Sequence, residues 1–184
     1  MGSAFSFVGT EFLASGLVAS DSVTSVTLTS VGAASGAGVG TYPILPGNAV
    51  GTGLTNYAIS YVNGTLTVGY GVCALYDQAK AVKQNATVPV KFYLCTASGQ
   101  DVSSSAVVVT ATQLTPTSGS AAADVEDSGN ANPDNNFRFD PTLGPSGGYI
   151  FNLSTKGVPA AMWKLTFTVN GAQFGTYTLG FGVK

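Results

Sequence analysis

The sequence predicts an all-β chain of two tandem β domains, the second an immunoglobulin-like β-sandwich of about seven strands. Three observations carry this. Charged residues make up only 9% of the 184 residues while 45% are hydrophobic and 24 are glycine, so cores can form and the polar faces are built from Ser and Thr hydroxyls. Apolar residues alternate with period two over many short segments, and no helical period of useful length occurs. All seven Lys and Arg residues lie beyond residue 68, which marks a change of composition near Gly69. The expected domains are therefore 1–68 and 69–184.

In the first of these, "SVTSVTLTSV" and "GVGTYPILP" alternate as strands do, with the flexible "GAASGAG" region between them. The strongest local signal is "NYAISYVNGTLTVGY". Asn63-Gly64 is the preferred dipeptide of a two-residue hairpin, and that turn would pair Val62 with Thr65, Tyr61 with Leu66, Ile59 with Val68 and Tyr57 with Tyr70. The pairing places Tyr57, Ile59, Tyr61, Leu66, Val68 and Tyr70 on one face.

From Tyr70 onward, seven segments read as strands: "YGVCALY", "TVPVKFYLC", "SAVVVTATQL", "NFRFD", "YIFNL", "MWKLTFTV" and "TYTLGFGV". Trp163, Leu165, Phe167 and Val169 share a face, as do Tyr177, Leu179, Phe181 and Val183. Seven short strands separated by turn signals in this length fit a sandwich. Residues 117–135 form the one long irregular stretch.

Composition also bounds the chemistry. With no histidine, Ser-His and Cys-His nucleophiles and His-type zinc sites are excluded, and two cysteines cannot make a four-thiolate site. No two of the nine acidic residues are placed face to face by sequence, so a glycosidase-like carboxylate pair has no basis and no catalytic residue is assigned. A net charge of −2 offers no basic footprint for nucleic acid, and no apolar run reaches the length needed to insert in a membrane as a helix. The first residues lack a basic, apolar leader pattern. The hydroxyl-rich composition is that of secreted all-β proteins, so an extracellular or cell-surface location is expected.

Two families resemble parts of the chain. Residues 5–68, through "GLVASDSV", "GVGTYPI" and "NYAISYVNGTLTV", resemble the mostly-β, glycine-rich (MBG) repeat of bacterial surface and secreted proteins. Repeats of that family open with a further strand, so the resemblance implies that the first module here lacks its first strand. Residues 70–184 resemble the PxKF module through "PVKF", "YGVCALYDQAKAVK", "VEDSGNANPDNNFRFDP" and "GGYIFNLSTKG", with Trp163 standing where a smaller aromatic is expected. Together the resemblances imply a non-enzymatic, extracellular structural or adhesive segment of a larger bacterial protein. The partners expected are neighbouring domains, other copies of the same chain, or glycans, the last as for a carbohydrate-binding accessory module of a secreted hydrolase. A module without its first strand exposes a sheet edge around Phe5, Phe7 and Val8, where a strand from a neighbouring copy could add and propagate a filament.

Five further sets of residues follow from residue types. Cys73 and Cys95 lie on successive strand segments, and in an oxidising compartment a disulfide is preferred over two buried thiols. Asp124, Glu126, Asp127 and Asp134, set among Asn residues, could supply oxygens to calcium, but the spacing fits no EF-hand. A solvated loop held by Asx-turns is the preferred reading, with no cofactor. Lys91 alternates with Val90 and Phe92, so it points outward as a solvated or ion-paired lysine and not into a crosslink. Of the three sequons, at Asn63, Asn85 and Asn152, roughly two are expected by chance in a Ser- and Thr-rich chain, and Asn63 is already accounted for by its turn. Tyr42, Tyr93 or Trp163 could stack on a sugar if exposed, but the alternation of its strand assigns Trp163 to the core.

Overall fold

The structure, a computed structural model, describes residues 4–119 and 121–184. The chain divides into two compact units, Met1–Gly69 and Tyr70–Lys184. Its strands fall into three sheets, and the described helical residues are only short 3-10 turns.

The second unit is a β-sandwich. One four-stranded sheet has the order β4 (Gly71–Ala74), β6 (Thr87–Cys95), β9 (Gly148–Ser154), β8 (Arg138–Asp140). The other runs β5 (Ala81–Val82), β11 (Thr176–Val183), β10 (Ala161–Val169), β7 (Val109–Pro116). Every pairing is antiparallel except that of β5 with β11. The period-two pattern determines which side chains go inward: on β6, Val88, Val90, Phe92 and Leu94 are buried, while Lys91 and Tyr93 are half-buried on the opposite face. Trp163, Leu165, Phe167 and Val169 do the same on β10. Phe92 lies 4.9 Å from Phe167 across the two sheets and 5.2 Å from Phe137, which in turn meets Phe151 at 5.1 Å. These tilted and edge-on rings avoid face-to-face repulsion of their π clouds and fill the centre of the sandwich. Trp163, 3% exposed, donates its indole N–H to the Pro159 carbonyl at 3.0 Å, which satisfies the one polar atom it carries into the core.

Cys73 and Cys95 form a disulfide with Cα atoms 6.1 Å apart. The register explains how they meet: Cys73 is opposite Tyr93 and Gly71 is opposite Cys95, so the bridge crosses diagonally between neighbouring strands. It fastens β4, an edge strand of only four residues, to the second strand of its sheet.

The first unit is a three-stranded antiparallel sheet, β1 (Ser22–Thr29), β2 (Gly40–Thr52) and β3 (Gly64–Val68). β1 pairs with residues 45–52 of β2, and β3 with residues 40–44. This corrects the hairpin expected at Asn63-Gly64. β3 takes β2 as its partner, with Ile44 opposite Gly64 and Gly40 opposite Val68, and residues 58–63 are extended but belong to no strand. Neither Asn63 nor Gly64 adopts the positive φ that the two-residue turn demands. A longer β2–β3 ladder would set residues 57–63 along residues 45–51, but Pro46 has no N–H to donate there and Asn48 turns to φ 49°. The β2 edge is thus interrupted where that ladder would continue. Gly53, at φ 74°, lies so close to the Asp21 carboxylate that any side chain there would collide with it.

Replacing both cysteines with serine frees β4 and enlarges the unfolded ensemble. A loss of about 3 kcal/mol is expected for a loop of this length, measured by denaturant unfolding with tryptophan fluorescence, because Trp163 reports on the same unit.

Candidate functional site

The acidic loop is built around an amide. Asn132, 2% exposed, donates from Nδ2 to the carbonyls of Asn136 at 3.0 Å and Ile150 at 3.2 Å, and its Oδ1 accepts the Asn152 N–H at 2.9 Å. Its own N–H goes to Asp127 Oδ2 at 2.6 Å. One side chain therefore ties the loop to β9, and every polar atom it buries is used. Asn130, Asp134 and Asn135 take positive φ, a conformation Asn and Asp tolerate better than most residues.

The four calcium candidates are not drawn into one cluster. Asp124, Glu126 and Asp134 are exposed, while Asp127 is half-buried and holds Asn132. Among the described residues no three His, Cys, Asp or Glu side chains gather as a metal-holding group. Sequence reading counted this asparagine only as one of the Asn residues set among the loop carboxylates and missed its role as the clamp. The density of Asn in the loop was the available signal.

Lys91 sits opposite Ile150 on β6, two strands from Arg138 on β8. Asp140 is held below the ordinary carboxylate range, first by the Thr142 hydroxyl at 2.6 Å and N–H at 2.9 Å, then by the positive charges of Arg138 and Lys91. Lys91 thus contributes to an outward-facing charged group with Asp140.

In the first unit the open surface is apolar. Val26 is the only buried large apolar side chain among the unit's described residues, whereas ten of the thirteen exposed large hydrophobic residues among the described residues of the chain lie here. Phe5 is 53% and Val8 80% exposed, and Phe5 meets Phe7 edge-on at 5.0 Å. This leading segment touches the outer edge of β1 through a single backbone bond, from the Val26 N–H to the Gly9 carbonyl at 2.9 Å. Glu11 secures its turn by accepting the N–H groups of Val8, Gly9 and Thr10 at 2.8, 2.8 and 3.0 Å, and the Val8 bond is foremost in holding that carboxyl below its ordinary range.

A cleft of about 670 Å3 opens within this unit between the sheet and the segment 57–62, with Phe12, Val26, Leu28, Ile44, Ile59 and Tyr61 among its walls. The segment is hung from the sheet by two phenol hydroxyls. Tyr57 donates to Asp21 Oδ2 at 2.6 Å and accepts the Val18 N–H at 2.9 Å, while Tyr61 accepts the Ala49 N–H at 2.9 Å. Tyr42, another sugar-stacking candidate, is half-buried with its hydroxyl given to the Gly38 carbonyl at 2.9 Å.

Residues 3–67 match the family model of the MBG domain (YGX type). That family is one of structural β domains, not of enzymes, and the match points to a surface or extracellular β-rich module. No curated protein matches the chain. No helix among the described residues is long and apolar enough to cross a membrane.

Two experiments follow from the loop. Asn132→Ala strands the Asn152 N–H and the Ile150 carbonyl, and an expected loss of about 1–3 kcal/mol is checked by chemical denaturation. Thermal melting with calcium and with chelator is expected to coincide, and a calcium-dependent rise in Tm would make the loop carboxylates a metal site.

Proposed function

We propose that the chain is a non-enzymatic, extracellular structural and adhesive module pair of a larger bacterial surface or secreted protein, an MBG unit followed by a PxKF-type sandwich. The observation that carries this reading is the contrast between the units. The sandwich has a complete aromatic core and a disulfide suited to an oxidising compartment. The MBG unit buries only Val26 among the large apolar side chains of its described residues. A three-stranded sheet gains stability by burying its apolar face, so a unit built this way suits association with something outside itself.

Other copies of the chain are the partners we favour. A strand added at the β1 edge beside Phe5, Phe7 and Val8 would make a head-to-tail contact, which continues into a filament where the rotation does not close a ring. The surface is nearly uncharged, with only Glu11 and Asp21 in the first 69 residues, so association is expected to depend weakly on salt. Sedimentation velocity over a hundredfold range of protein concentration, with electron microscopy of the top of that range, tests the reading. Growth of assemblies with concentration is expected, and monomers throughout would refute self-association.

A further inference from the structure

The segment 57–63 poses an accounting problem. Ala58–Asn63 are all exposed, and among the described residues their backbone N–H and C=O groups meet no other backbone group. Ile59 is 42%, Tyr61 43% and Val62 86% exposed. Unpaired, extended, apolar backbone of this kind is a template for another strand, and monomeric proteins protect such edges with charge, proline or a covering element. None of these is present within the segment. From Ser22 to Tyr76 the chain carries no charged residue at all.

We propose that this segment is a two-fold interface in which residues 57–63 of one copy pair antiparallel with residues 57–63 of a second. The proposal rests on the reading that the MBG unit meets other copies of itself, and it adds a second contact, on a surface other than the one around Phe5–Val8. Three features favour a second copy as the occupant. A two-fold axis brings a surface against itself, which is electrostatically free for a stretch without charge, where a charged edge would repel its copy. The Tyr57 and Tyr61 hydroxyls are already used within the unit, so these two bonds hold the segment in place while its backbone remains free for pairing. Centring the pair on Ser60 sets Ile59 opposite the partner's Tyr61 and Tyr57 opposite the partner's Asn63, and an aromatic beside a β-branched residue is a favourable cross-strand pair. The second copy would also lie along the rim of the cleft, covering apolar walls that a single copy leaves to water.

The centre of the pair gives the test. Both native cysteines are in the disulfide, so Ser60→Cys introduces one free thiol, which at a two-fold axis faces its own copy. Under mild oxidation most of the Ser60→Cys chain is expected to become covalent dimer on non-reducing gels, while Ser35→Cys, on an exposed turn that makes no hydrogen bond to the segment, stays monomeric. Ile59→Lys sets a lysine on the partner's Tyr61 and brings the two introduced ammonium groups onto one diagonal across the axis, roughly 7–8 Å apart, and is expected to raise the dimer dissociation constant at least tenfold, with an unchanged circular dichroism spectrum. If Ser60→Cys fails to crosslink and Ile59→Lys associates as the native chain does, the pairing is overturned while self-association stands. Monomers at every concentration overturn both. A monomer that binds a synthetic peptide of residues 4–9 in the cleft would assign that surface to a different strand, and also overturns the two-fold pair.

Discussion

The contact of Phe92 with Phe167 is the constraint from which the second unit is organised. It joins the central strands of two sheets, β6 and β10, and each ring is fully buried. Given that contact, the alternation along both strands commits the residues two positions away to the interior and the intervening ones to the outside. Phe137 is then drawn in from the end of the acidic loop to fill the space beside both rings. Its backbone N–H reaches the Val109 carbonyl of β7 at 2.8 Å, so the residue that plugs one sheet's interior is hydrogen-bonded to the other. The loop before it must arrive at a defined place, and Asn132 sets that place. The order of dependence runs from aromatic packing to loop position, and the polar clamp works because the rings have fixed its surroundings.

The second unit was legible in the sequence because its determinants are local and periodic. Alternation over Val88–Leu94 and Trp163–Val169 identified both strands and their inward faces, and the two cysteines fell on segments that pair. Asn132 was not legible as a clamp. Its function depends on Asn152, twenty residues later, whose N–H it binds, and on a carbonyl of β9. A loop rich in Asn and Asp looks the same whether its oxygens serve a cation, water or the backbone.

The first unit shows the converse. "VNGT" is a strong hairpin signal and the pairing it suggests is self-consistent in its faces, yet β3 joins β2 instead. A turn propensity of this kind is a preference of a few residues, whereas the β2–β3 ladder satisfies five residue pairs and follows from where residues 40–44 lie. Long-range pairing overrode local preference. The same choice left residues 57–63 without a ladder, and it accounts for both the cleft and the exposed side chains beside it. The contrast in composition was visible, since the first 68 residues carry no Lys or Arg, but that only Val26 among their described large apolar residues is buried followed only from the fold.

The diagonal disulfide has a mechanical consequence. Tension carried along the backbone from the first unit enters the sandwich at Tyr70 and reaches Cys73 three residues later. There it passes through the sulfur bridge to Cys95, at the end of a strand hydrogen-bonded on both sides. From Cys73 onward the short edge strand therefore cannot be peeled away one hydrogen bond at a time. Load is handed directly to β6, whose ladders must yield together, so the bridge makes a four-residue edge strand the point of attachment without making it the point of failure.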